Sequence, residues 1–127
     1  MNVVDKWHKY VEFLDATLLD EIIDKDAVFF SPVVHSAQRG EKIVKKYLST
    51  AMALLNNGTF VYTHETIQNG VAVLEFELEM DGVFINGVDI IHFNDLGKIT
   101  EFKVMVRPLQ GIMMLKELMA KSLSAPT

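Results

Sequence analysis

Asp89 is the one carboxylate in the run Val83 to Phe93, where Val88, Ile90, Ile91 and Phe93 otherwise read as a buried strand. An ionised carboxylate in apolar surroundings must find a partner or take a raised pKa. A carboxylic acid held neutral near pH 7 can donate a hydrogen bond to an oxyanion, so the pattern points to a pocket without naming its occupant. The competing reading is a structural acid tied to a backbone N–H or to Tyr10. His35, in the loop after Pro32, is the candidate general base, because histidine changes charge near physiological pH. His64, on a strand near Tyr62, is a weaker one. His8, His35, His64 and His92 lack metal-ligand spacing, and no phosphate-cradling loop, nucleophile elbow or dinucleotide fingerprint is present, so neither metal nor cofactor is expected. Glu75, Glu77 and Glu79 alternate along a strand and read as a polar face, not as a paired acid and base.

The elements that must position these residues follow from periodicity. Val4, Trp7, Val11 and Leu14 recur at helical spacing, and Leu18, Leu19, Ile22 and Ile23 repeat the pattern behind Thr17 as N-cap. Ala27 to Phe30 reads as a short strand stopped by Ser31-Pro32, followed by a loop from Val33 to Arg39. Gly40 precedes a longer helix carrying Ile43, Tyr47, Leu48, Met52 and Leu55, which Asn56-Asn57-Gly58 ends. Asn57-Gly58-Thr59 also matches a glycosylation sequon, but without a secretory leader it reads as a helix stop. Four alternating segments come next: Thr59 to Gln68, Val71 to Met80, Val83 to Phe93 and Lys98 to Arg107. Asn69-Gly70 and Asp81-Gly82 between them are strong hairpin signals, so the four form an antiparallel meander. After Pro108, Leu109, Ile112, Leu115, Leu118 and Met119 mark a closing helix, in which Met113, Met114 and Met119 read as adaptable packing. Residues 122–127 read as a frayed tail. The fold class is α+β: a curved antiparallel sheet packed on N-terminal helices, with a C-terminal helix.

The chain of 127 residues fits a single domain, 1–127. Ala72, Leu74, Phe76 and Leu78 share the inner side of one strand, and Phe102, Val104 and Val106 that of the last. The strand bearing Asp89 is apolar on both sides, so both must be covered: one by helices, the other by a second subunit through Phe84, Val88 and Ile90. A homodimer is expected, in line with a 50% hydrophobic composition. Net charge is −5 with dispersed basic residues, which argues against nucleic acid or anionic membrane as partner. Asp5, Lys6, His8 and Lys9 interrupt any leader-like apolar run, no segment is apolar enough to span a bilayer, and cysteine is absent. A cytoplasmic protein is the expectation.

Tyr10 to Asp15, Asp26 to Pro32, Arg39 to Glu41, Val88 to Phe93 and Gly97 to Ile99 occur in an order and spacing that resembles the nuclear-transport-factor-2-like (cystatin-like) superfamily, particularly its SnoaL-like and ketosteroid-isomerase-like branch. The resemblance implies a cone of sheet and helices around an apolar cavity. It places Tyr10 at the oxyanion-hole phenol and Asp89 at the protonated aspartic acid of ketosteroid isomerases. Their general-base aspartate, directly before the proline, corresponds to Ser31, an uncharged hydroxyl that cannot take up an α-proton unaided. Val104 stands where epoxide-hydrolase and cyclase relatives carry a polar acid or base. The cavity so implied would be lined by Trp7, Leu14, Phe30, Ser31, Tyr47, Tyr62, Phe76, Ile91, Phe102, Val104 and Val106. Two readings stay open: an isomerase- or cyclase-like enzyme that stabilises the enolate of an apolar carbonyl compound with Tyr10 and Asp89, and a non-catalytic dimeric module that binds an apolar small molecule. An interaction scaffold is a third.

Overall fold

The computed structural model describes residues 2–124. Helix α1 (Val3–Phe13) begins at Asn2, whose side chain accepts the Asp5 N–H at 2.8 Å, and ends at Leu14 in a left-handed conformation. Helix α2 (Ala16–Ile22) is capped by Asp15, not by Thr17: Asp15 Oδ1 accepts from the Thr17 N–H at 3.0 Å and from its hydroxyl at 2.7 Å. An anionic acceptor suits a helix N-terminus better than a hydroxyl does. Strand β1 (Ile23–Phe30) follows without a loop and is longer than the sequence pattern implied. The expected loop holds a short strand, β2 (Gln38–Arg39), before helix α3 (Glu41–Leu55).

Strands β3 (Val61–Gln68), β4 (Val71–Met80), β5 (Val83–Phe93) and β6 (Ile99–Arg107) form the expected meander. Asn69-Gly70 and Asp81-Gly82 all adopt positive φ, between 49° and 80°, as primed hairpin turns require. Helix α4 (Leu109–Ser124) closes the chain. Residues 122–124, expected to fray, belong to this helix, and 125–127 lie outside the described residues.

The strand order is β2-β1-β6-β5-β4-β3, and β1 runs parallel to β6, with Phe29 opposite Phe102. The sheet is therefore mixed, not wholly antiparallel. Parallel neighbours need a long crossover, and α3 together with the rest of the meander supplies it. The inner face of the sheet packs Ala72, Leu74, Ile91 and Phe102 against Trp7 and Tyr10 of α1 and Leu48 and Met52 of α3. A second apolar cluster, Leu55, Phe76, Leu78, Ile85 and Leu115, fills the end of the cone beneath α4. Gly87 makes this packing possible, because a Cβ there would stand 2.3 Å from the Phe76 ring and 2.8 Å from the Met105 carbonyl oxygen. On the outer face Phe84 and Met105 remain half exposed beside partly buried Val88 and Ile90.

Candidate functional site

Asp89 lies on the inner face of β5, between Leu74 on β4 and Val104 on β6, and is only 5% exposed. Its partner comes from β3. Register slips between Tyr62 and His64, and a bulge of this kind re-aims side chains. The Tyr62 ring stands edge-on to Phe60 at 5.0 Å and to Phe76 at 6.3 Å, and its hydroxyl donates to Asp89 Oδ2 at 2.6 Å. From the other side Trp7 Nε1 donates to the Tyr62 oxygen at 2.9 Å. Trp7 is itself fully buried against Phe102, with ring centroids 4.8 Å apart.

Burial pushes the Asp89 carboxyl up to about 7, against the opposing pull of the Tyr62 hydrogen bond. Burial, reinforced by the Asp89 charge, holds the Tyr62 phenol well above its ordinary range, so it stays a donor. Asp89 also borders an apolar cavity of about 50 Å³ between the sheet, α3 and α4. Met52 and Leu55 come from α3, Leu115 and Met119 from α4, and Phe102, Val104 and Val106 from β6. Among the described residues no other titratable side chain reaches this lining. Oδ2 is tied to Tyr62, whereas Oδ1 has no hydrogen-bond partner among the described residues.

A steroid delta-isomerase from Pseudomonas aeruginosa is 31% identical over 96% of this chain and 89% of its own, with a TM-score of 0.87. The chain belongs to the nuclear-transport-factor-2-like superfamily. Two further solved structures share this fold. An uncharacterised bacterial protein with a cystatin-like fold from Silicibacter pomeroyi is 23% identical over 94% of this chain and 83% of its own, with a TM-score of 0.85. A nuclear-transport-factor-2-like protein of unknown function from Mesorhizobium loti is 20% identical over 84% and 88%, with a TM-score of 0.72. No protein-family model and no curated protein matches the sequence.

Within this nuclear-transport-factor-2-like fold the phenol that meets Asp89 is Tyr62, not Tyr10. Trp7 and Tyr10 share a face of α1, and the Tyr10 ring packs on Trp7 at 5.6 Å, where burial raises its pKa. It is the indole that reaches the polar centre. Ser31, Phe102, Val104 and Val106 line the cavity. Trp7, Tyr47, Tyr62, Phe76 and Ile91 stand behind the lining as packing. Leu14 is exposed at the end of α1, and Phe30 lies in a different, shallow groove under Lys103. Ser31 Oγ accepts the Val33 N–H at 3.1 Å and so shapes the turn. His35 is exposed and outside the lining, and His64 sits on the outer face 3.3 Å from Glu75. Leu48, Met52, Leu55, Leu115 and Met119 are lining residues that the sequence reading assigned to helical cores; their apolar periodicity cannot separate a cavity wall from a filled core. Among the described residues no group of His, Asp or Glu could hold a metal ion, and no helix is long and apolar enough to cross a membrane.

Proposed function

We propose that the protein binds an apolar small molecule in the cavity between the sheet, α3 and α4, and that Asp89, as a neutral acid, donates a hydrogen bond to a ligand oxygen. The observation that carries this reading is the lone buried carboxyl in an apolar lining, one oxygen held by Tyr62 and the other without a hydrogen-bond partner among the described residues. Such a donor favours a carbonyl or a phenolate and rejects a ligand that offers only a proton. The cavity of about 50 Å³ is far below the roughly 300 Å³ of a drug-sized site. A larger ligand therefore has to displace Leu115 and Met119 of α4, and an unbranched thioether such as Met119 yields readily. Titration with substituted phenols, followed by phenolate absorbance in the protein and in Asp89→Leu, which removes the donor, tests the reading. Binding weakened in the variant supports it; equal binding refutes it.

A second reading, enolate stabilisation in an isomerase-like reaction, is favoured by the 31% identity to the steroid delta-isomerase. It requires a base, and the lining contributes none besides Asp89. His35 would have to enter with its loop, which starts beside the lining residue Val33. Deuterium exchange α to the carbonyl of a bound ketone, lost in His35→Gln, would support this reading over simple binding.

We also propose that a second copy of the chain covers the outer face of the sheet. Val73, Val88 and Met105 form an apolar floor flanked by Glu75 on β4 and Arg107 on β6. A two-fold axis would bring Arg107 of each copy to Glu75 of the other, a self-complementary arrangement.

A further inference from the structure

Hydrogen-bond direction along the chain Trp7–Tyr62–Asp89 is fixed from one end. An indole N–H can only donate, so at 2.9 Å the Tyr62 oxygen must accept it. The hydroxyl's single proton is then aimed at Asp89 Oδ2, 2.6 Å away. Oδ2 is an acceptor whether Asp89 is ionised or neutral. When the carboxyl binds a proton, that proton has its place on Oδ1.

We propose that Trp7 is a positioning residue: by orienting the Tyr62 hydroxyl it keeps the proton of neutral Asp89 on the oxygen that faces the cavity, and so selects ligands that present an acceptor oxygen. This rests on the reading that ligand meets Asp89 in the cavity. Without the indole N–H, Tyr62 is free to turn and accept from Oδ2–H. The proton then sits on the buried side, and the cavity receives a bare acceptor instead of a donor. Among the described residues the other charge that acts on Tyr62 is Glu65, which pushes the phenol further up and so also keeps it a donor. His8 and Glu65 pair with one another on the far side of the Tyr62 ring, the His8 ring standing edge-on to it at 5.1 Å, and the flanking faces of α3 and α4 present Met52, Leu55 and Leu115.

Trp7 is the sole tryptophan, so the whole protein can be made with 3-benzothienylalanine, an indole analogue of nearly equal volume in which sulfur replaces the N–H. Trp7→Phe serves as the genetically encoded companion. Two readouts are taken. The first is ligand-free: the midpoint of the Asp89 carboxyl titration by carbon-13 NMR is expected to rise in the analogue protein, because Tyr62 loses the polarising donor and the neutral acid gains a second hydrogen-bond arrangement. An unmoved midpoint overturns the proposal, whether or not any ligand binds. The second is selectivity between phenolates and neutral alcohols of similar shape, expected to fall roughly three- to tenfold in favour of the alcohols, about the worth of one redirected hydrogen bond. Phenolate preference unchanged in an analogue protein that still binds phenols refutes the positioning role and leaves the binding reading intact. Failure of the unmodified protein to bind phenols refutes the binding reading, while the ligand-free titration still decides on Trp7.

Discussion

The Tyr62 hydroxyl donates to Asp89 Oδ2 at 2.6 Å across 27 residues of sequence, from the outermost strand β3 over β4 to β5. That bond gives one oxygen of a buried carboxyl a structural partner and leaves the other without one among the described residues.

Asp89 should give the fold a pH dependence of unusual sign. Its carboxyl moves from 3.8 to about 7 on folding, so between those values the folded state binds more protons than the unfolded one. Stability contributed by the neutral acid is fully present below about pH 4 and is lost as pH rises through about 7. The span corresponds to roughly 4 kcal/mol at most. Thermal melts of the protein at pH 5 and pH 8, after subtraction of the Asp89→Asn profile, should show this loss. Asp89→Asn should be the more stable protein at pH 8, because an amide keeps the Tyr62 bond without a buried charge. A variant that is less stable at pH 8 would mean that the carboxylate is solvated in place.

Gly87→Ala should destabilise the fold by about 1–3 kcal/mol, as overpacking does, since its methyl would collide with the Phe76 ring and the Met105 carbonyl. Chemical denaturation measures it. The same variant should weaken phenol binding, because Phe76 braces the Tyr62 ring at 6.3 Å. A neutral substitution would show that the ring is free to move.

The outer face should pair two copies. Sedimentation velocity is expected to give a dimer, and Val88→Glu a folded monomer, since a charge placed opposite its own symmetry mate repels. A monomeric parent protein would leave Phe84 and Met105 simply exposed.

The sequence made much of this visible, and the reasons for its gaps are local. Alternation and the Asn-Gly and Asp-Gly pairs were enough for the meander, because primed turns leave few other choices. The parallel pairing of β1 with β6 depends on a crossover of some seventy residues and leaves no mark on either strand. Asp89 announced itself by being charged among apolar neighbours. Its partner did not, because a bulge beside Tyr62 decides which way that ring points, and Tyr10 sat at the position that the resemblance favoured. Trp7 read as core and is core; only the direction of its N–H gives it a further part. The cavity wall on α3 and α4 has the same apolar spacing as any packed helix.

Leu115→Ala should enlarge the cavity at a cost of about 2–5 kcal/mol in stability. Phenols with bulkier apolar substituents should then bind more tightly relative to small ones, by calorimetry. An unchanged size preference would place the binding site elsewhere.

The most direct measurement is a carbon-13 titration of the Asp89 carboxyl, assigned by its loss in Asp89→Asn, with and without a saturating phenol. A midpoint near 7 that moves when the phenol binds is the expected result. A midpoint near the ordinary carboxylate value, or a resonance indifferent to the phenol, would contradict the role of Asp89 as the neutral donor to the ligand.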